Sequence, residues 1–385
     1  MIPYGRQTIS DDDIEAVISV LRSDFLTQGP VVPKFEKLVS DYCGVAHAVA
    51  VNSATSALHI ACMALGVGSG DVVWTSPNTF VASANCALYC GADVDFVDID
   101  PSTRNMSVSS LAASLKRAHD KNKLPKVLIP VHYSGLPCDM EAIHELTQQY
   151  GVRIVEDASH AIGARYKDSV IGDCRYSDIT VFSFHPVKII TTAEGGLCTT
   201  GSPELASRMQ LFRSHGITRE QGQLGSGNEG GWYYEQQQLG FNYRLTDMQA
   251  ALGVSQFYHL NAWVARRHQI ADRYDSELCN LPLLLPERPD GSHSALHLYA
   301  VQLDSSKTSA NRRDVFDRMR AAGIAVNVHY IPVHLQPYYQ ALGFKKGDFS
   351  NSENYYRGCL SLPMYPALTD DEQDIVIAAL KGALV

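Results

Sequence analysis

At 385 residues, with 45% hydrophobic and 19% charged side chains, the chain has ordinary globular composition and room for one large domain and a smaller one. A net charge of −9 without any run of lysines or arginines argues against a nucleic-acid surface or a membrane-bound patch, which leaves a small molecule as the expected partner. No stretch approaches the length of a membrane span, MIPYGRQTISDDD lacks the apolar core of a signal peptide, and nine cysteines without a C-x-x-C pair read as reduced thiols, so a cytoplasmic protein is expected.

Ser10 followed by Asp11, Asp12 and Asp13 marks a helix start, after which Ile14, Val17, Ile18 and Leu21 form one apolar stripe. Beyond a Gly29-Pro30 break, Phe35, Leu38, Val39 and Tyr42 repeat that spacing in a second helix ending at Gly44. Residues 47–52 read as a short buried strand that turns through small polar residues into a helix with Leu58, Ala61, Cys62 and Leu65 on one face. Strand, small polar turn and helix is a geometry that binds phosphate, because the first N–H groups of a helix lack internal partners and carry the positive end of its dipole. Ala54 and Thr55 are placed to present such amides, although Ser and Thr also cap helices for stability alone.

Residues 72–75 are the next strand, 77–91 a helix with Phe80 at its start, and 94–99 a strand again. Phe80 is either core or a flat face for a planar cofactor. A strand over 127–131 and a helix over 140–150 lead to VRIVED, a strand over 152–157 that ends in two carboxylates. In open α/β sheets ligands collect at the carboxyl ends of strands, which places Asp157 to meet one. Lys188 then sits in a loop between strands over 179–184 and 197–200; alone, a loop lysine is usually a solvated charge.

A helix over 203–214 precedes a glycine-rich, aromatic stretch in which Gly225, Gly227 and Gly230 match G-x-G-x-x-G. The match fails its context test, since no strand precedes it and Trp232-Tyr233-Tyr234 rather than a helix follows; no Walker A motif is present. Thr246 and Gln249 form a capping box, and the absence of proline until Pro282 predicts one long helix or two in line, spanning roughly 50 Å. A strand over 296–303, a helix over 311–322, a strand over 325–330 (AVNVHY) and a last helix capped by Thr369 and Glu372 make a small α+β unit. The close histidine pairs His293/His297 and His329/His334 lack further ligands at zinc-site spacing, so no metal is expected. The division expected is a large domain over 1–250 and a small one over 251–385.

A helix start for phosphate, a flat aromatic, a carboxylate at a strand end and a lysine between strands are each weak alone. Pyridoxal 5′-phosphate needs all of them: the amine to bond its aldehyde, the carboxylate to keep its ring nitrogen protonated, and the helix start to hold its phosphate.

SFHPVKIITTAEGG, EDASHAIG, NSATSAL and GFNYRLTDMQAALG closely resemble the motifs of the DegT/StrS family of nucleotide-sugar aminotransferases over essentially the whole chain. The resemblance implies an α/β fold of the fold-type-I aminotransferase kind, with a mixed seven-stranded sheet flanked by helices, a small C-terminal domain, and a homodimer with active sites at the subunit interface. It implies L-glutamate and a nucleotide sugar as substrates, Lys188 as the Schiff-base lysine, Asp157 on the pyridinium nitrogen, His160 near the ring and Phe80 stacked on it. Ala54, Thr55 and Ser183 would hold the phosphate, joined by Asn242 from the neighbouring subunit. For the sugar nucleotide the residues nominated are Tyr4, His185, Arg213, His329 and Tyr330; Arg213 suits a diphosphate or a glutamate carboxylate. Ala193 departs from the glycine that many members carry. TTAEGG, FLTQGP, NSATSAL and FRSHG look most like the branch making UDP-4-amino-4,6-dideoxy-N-acetyl-β-L-altrosamine for pseudaminic acid. A sugar dehydratase of the family would have its lysine replaced, and a regulator binding the same cofactor would need an appended DNA-binding domain.

Overall fold

The computed structural model describes residues 1–384 except 221, 223 and 226–228, so Gly227 of the rejected glycine motif lies outside the described residues. After a short strand β1 (Ile2–Pro3), the chain forms helices α1 (Asp11–Leu21) and α2 (Val31–Cys43). The α/β layer follows as β2 (His47–Val51), α3 (Ala54–Ala64), β3 (Val72–Thr75), α4 (Ala82–Tyr89), β4 (Asp93–Phe96), α5 (Val108–Asp120), β5 (Val127–Ile129), α6 (Met140–Gln148) and β6 (Arg153–Asp157). Two short strands, β7 (Arg165–Tyr166) and β8 (Ser169–Val170), precede β9 (Ile179–Ser183), β10 (Gly196–Thr200) and α7 (Pro203–Arg213).

The main sheet has seven strands in the order β2-β10-β9-β6-β5-β3-β4. Strand β10 runs antiparallel to β2 and β9, and the remaining pairs are parallel, giving the mixed seven-stranded sheet that the resemblance implies. Alternation along the strands divides the core. Ala50, Trp74, Leu128, Ile154, Phe182 and Leu197 face α2, α5 and α6, while Val49, Val73, Ile129, Val155, Val181 and Cys198 face α3, α4 and α7.

The capping boxes at Ser10, Thr246 and Thr369 all form. Of the two alternatives expected after Thr246, one long helix or two in line, the chain takes the second, α8 (Asp247–Phe257) and α9 (Leu260–Leu278), with Tyr258 and His259 between them. Helix α9 joins the cores: Leu260 and Val264 pack in the large one, Ile270, Tyr274 and Leu278 in the small one. Three expectations shift. The helix expected from Pro77 begins at Ala82, because 76–80 is a non-helical loop that leaves Phe80 ahead of the helix. Of AVNVHY only Ala325 lies in a strand (Ile324–Ala325), paired with β1, and 327–330 instead turn toward the sheet's carboxyl edge. The apolar stripe of α1 is largely open in the single chain, with Ile14 and Leu21 exposed.

Candidate active site

A cavity of about 720 Å³ opens at the carboxyl edge of the main sheet, between the ends of β6 and β9, the start of α3 and residues 327–330. The two carboxylates of VRIVED separate there, as alternation along a strand requires. Glu156 turns to the far face, where it accepts from His132 Nε2 (2.8 Å), Ser177 Oγ (2.5 Å) and Thr180 Oγ1 (3.2 Å). Burial pushes its pKa up, but these donors outweigh burial and hold it below the ordinary value. Asp157 turns into the cavity wall, and Ser83 Oγ donates to its Oδ2 (2.6 Å) while the Ser159 N–H donates to its Oδ1 (3.1 Å). Thr79 Oγ1 lies 2.8 Å from Ser83 Oγ, so the loop before α4 braces the carboxylate through that serine.

Lys188 lies half-buried on the same cavity, its backbone N–H held by His185 O at 2.9 Å. Burial lowers its pKa to about 8, against the opposing pull of Asp157. A lysine poised there is neutral in a useful fraction near neutral pH, as a base or nucleophile requires. His160 is neutral as well: burial, then the charge on Lys188, holds its pKa well below the usual range. Its Nδ1 accepts the Ser134 N–H (3.2 Å), which puts its proton on Nε2 and makes that atom the donor to Tyr330 Oη at 3.1 Å. Tyr330 and His160 stack at 19°, and His329, whose Nδ1 lies 2.7 Å from Ser361 Oγ, has its pKa lowered to about 3 by burial and Lys188.

At the other end, Ser53 caps α3 by accepting the Ser56 N–H, leaving the first-turn amides of Ala54 and Thr55 without partners inside the helix. Gly196 opens β10 directly against this turn: a Cβ there would lie 2.5 Å from Ala54 N. Ser183, at the end of β9, pairs with Gly196 and also faces the cavity. An amide cradle kept clear by a glycine, a hydrogen-bonded carboxylate and a half-buried lysine on one cavity are the donor set that fits pyridoxal phosphate.

Tyr4, Phe80, His185, His329 and Tyr330 line the same cavity, Phe80 with 59% of its surface exposed. Arg213 and Asn242 do not. The Arg213 guanidinium is engaged by Glu36 Oε1 (2.5 Å) and Ala50 O (2.8 Å), tying α7 to α2 and β2, and Asn242 is exposed outside this chain's own cavity. Sequence reasoning missed Ser83, Glu194 and His297, the last considered only as half of a histidine pair. The departure at Ala193 has a structural cost, since this residue is held at φ 67 in the turn between Lys188 and β10. A left-handed alanine costs about 1–2 kcal/mol, partly offset by the entropy a glycine loses on folding, so Ala193→Gly is expected to stabilise by about 0.5–1 kcal/mol. Denaturant unfolding checks this, and unchanged or lower stability would contradict it.

The DegT/DnrJ/EryC1/StrS aminotransferase family model matches residues 7–381. Among curated relatives, the chain is 40% identical over 383 residues to the spore coat polysaccharide biosynthesis protein SpsC of Bacillus subtilis, covering 99% of this chain and 96% of the relative. It is 37% identical over 366 residues to the UDP-4-amino-4,6-dideoxy-N-acetyl-β-L-altrosamine transaminase of Campylobacter jejuni, covering 95% and 93%. Among solved structures, PseC of Helicobacter pylori, an aminotransferase involved in pseudaminic acid biosynthesis, superposes with a TM-score of 0.91 at 29% identity, covering 100% of this chain and 99% of that one. With the family model spanning nearly its whole length and the lysine, carboxylate and amide cradle on one cavity, the chain belongs to the DegT/DnrJ/EryC1/StrS aminotransferase family, whose members are pyridoxal phosphate-dependent sugar aminotransferases.

Proposed function

We propose that the chain moves an amino group from L-glutamate to the C4 ketone of a UDP-linked 4-keto-6-deoxy-N-acetylhexosamine, giving UDP-4-amino-4,6-dideoxy-N-acetyl-β-L-altrosamine. The observation that carries the sugar assignment is the 37% identity over 95% of this chain to a C. jejuni enzyme of that name, joined by the likeness to PseC. The 40% identity to SpsC favours a second reading, a different UDP- or dTDP-linked 4-keto-6-deoxy sugar.

Bound in this cavity, the cofactor supplies an electron sink for the pair released when a carbon–hydrogen bond beside the amino nitrogen breaks. In this reading the chain's own groups do the rest. Ala54 and Thr55 amides with Ser183 anchor the phosphate, and Phe80 offers its face to the ring. Asp157, its carboxyl oxygens positioned by Ser83 Oγ and the Ser159 N–H, keeps the proton on the ring nitrogen. Lys188 Nζ takes the proton from the donor's α-carbon and, in the return half, delivers one to C4 of the sugar, a role its lowered pKa suits. Tyr330 Oη already accepts from His160, so its own proton is free to point at a ligand acceptor; with Tyr4, His185 and His329 it forms the sugar side.

The working form in this proposal is a cytoplasmic homodimer with shared sites. Its support is the open apolar stripe of α1, continued by exposed Phe25 and Leu26, and the position of Asn242 outside its own cavity, free to reach a partner's. Light scattering should give twice the chain mass.

The deciding experiment supplies glutamate with the 4-ketone corresponding to the altrosamine product, its C5 epimer and their dTDP-linked counterparts, and follows amino-sugar formation by mass spectrometry. Fastest turnover of the first supports the assignment. Preference for the epimer or a dTDP sugar moves it to the second reading.

A further inference from the structure

His297 is held in the cavity wall by an unusual number of anchors, yet its imidazole makes no hydrogen bond among the described residues. The segment carrying it lies directly against the turn at Gly135, whose φ of +95 and missing side chain are both required there. A Cβ at that position would meet His160 O at 2.8 Å, Leu296 N at 2.9 Å and His297 N at 3.0 Å. Main-chain bonds fix the approach on both sides, from Ala295 N to Gly135 O (3.0 Å) and from Leu298 N to Ser134 O (3.3 Å), while Ser134 Oγ donates to Leu298 O (2.6 Å). Leu296 is bent to φ 49, a left-handed conformation that bulky side chains rarely adopt and that persists where surrounding structure enforces it. Behind the segment, Arg267 Nη1 donates to Leu296 O (3.1 Å), His297 O (3.2 Å) and Met364 O (3.0 Å).

The side chain these contacts place is 4% exposed, its ring centroid 4.4 Å from that of His160, on the cavity it shares with Lys188. Its Nδ1 is fully enclosed and meets no partner. Buried polar groups in folded proteins are almost always hydrogen-bonded, so an imidazole left open on a cavity wall awaits a ligand. Burial first, then the neighbouring His160, Lys188, Arg267 and His329, hold its pKa well below the usual range and keep it neutral. An enclosed Nδ1 without an acceptor is a poor place for the one proton, which leaves Nε2 as the donor toward the cavity.

The local field selects what that donor meets. Arg267 is 1% exposed and forms no ion pair with a carboxylate among the described residues, so its charge behind His297 is balanced only by carbonyl dipoles. Of the cavity's described lining, Lys188 is the sole lysine or arginine, and the reaction needs it neutral. Asp157 and Glu194 also line the cavity, but the groups acting on His297 itself are His160, Lys188, Arg267 and His329, so a carboxylate oxygen at its Nε2 meets a neutral N–H donor with the Arg267 guanidinium behind it. We propose that His297 receives a carboxylate of the amino donor, through a hydrogen bond from Nε2–H to a carboxylate oxygen. This rests on the reading of glutamate as that donor.

The test uses glutarate, a dicarboxylate without an amino group to transfer, bound to the holoenzyme and measured by calorimetry. His297→Phe keeps a flat ring and removes the donor, while His297→Asn keeps a donor on a shorter side chain. A hydrogen bond to a charged group predicts at least about tenfold weaker glutarate binding in His297→Phe, with the KM for glutamate rising by a similar factor and partial recovery in His297→Asn. Affinity for pyridoxal phosphate, its visible band and the KM for the sugar should stay as in the wild type. Unchanged glutarate affinity overturns the proposal, as does a shifted band or a loss confined to the sugar. If His297→Phe fails to fold, His297→Asn against His297→Leu makes the same comparison. A wild type that reacts with glutamate while the variants bind glutarate equally well overturns this inference alone. A wild type that never reacts with glutamate overturns the donor assignment with it.

Discussion

Replacing Lys188 with alanine is expected to abolish turnover, with a loss of at least about 10⁴-fold, because one side chain provides both the covalent tether and the proton-moving base. The geometry offers no second amine. Lys188 is the only lysine on the described lining of the cavity, and three of the four histidines there, His160, His297 and His329, are held neutral with pKa values far below those of working bases. The same lysine gives a pH signature. A group whose pKa is lowered to about 8 becomes half neutral there rather than near the ordinary 10.5. The rate at which the apoprotein captures the aldehyde of pyridoxal phosphate, trapped by borohydride at Lys188, should therefore rise about tenfold per pH unit below 8 and level off above it. A rise that continues to pH 10 would show that burial does not tune this amine, and a Lys188→Ala variant that keeps its turnover would remove it from the chemistry.

The parts of this site that could be read in the sequence are those carried by a few consecutive residues. Asp157 closes a strand, Ala54 and Thr55 open a helix after another, and Lys188 lies between two more, so strand-end logic places each at the same sheet edge before any contact is known. What could not be read depends on residues distant in the chain. Arg213 suits an anion and also a structural carboxylate, and the choice is made by Glu36, 177 positions away. His297 is placed by Gly135 and Arg267, neither of which marks it locally. AVNVHY alternates like a strand, yet Asn327, Val328, His329 and Tyr330 line the cavity instead of extending the pairing with β1. Pro77 resembles the first residue of a helix, but the loop that follows positions Phe80 and, through Thr79 and Ser83, steadies Asp157. Arg213 aside, local preference yielded in these cases at a residue that lines the cavity or supports one that does, as expected where function rather than stability selects the conformation.

Asp157→Asn separates the two jobs this carboxylate performs. Asparagine keeps the size of the side chain and can still meet Ser83 and the Ser159 N–H, so the cavity wall should survive and pyridoxal phosphate should still bind. The negative charge that holds a proton on the ring nitrogen is lost, and removal of such a preorganised electrostatic partner predicts a fall in turnover of at least about 10²-fold. Lys188 responds in the opposite sense. Asp157 is the charge that raises the Lys188 pKa against burial, so without it the midpoint for aldehyde capture should move below 8, and capture at neutral pH should quicken while turnover collapses. Ser83→Ala, which removes one donor and leaves the charge, should lower turnover by about tenfold while the capture midpoint stays near 8. Full turnover in Asp157→Asn would strike this residue from the ring nitrogen. A capture midpoint that stays at 8 would mean that burial alone sets the lysine and that Asp157 exerts no electrostatic pull on it.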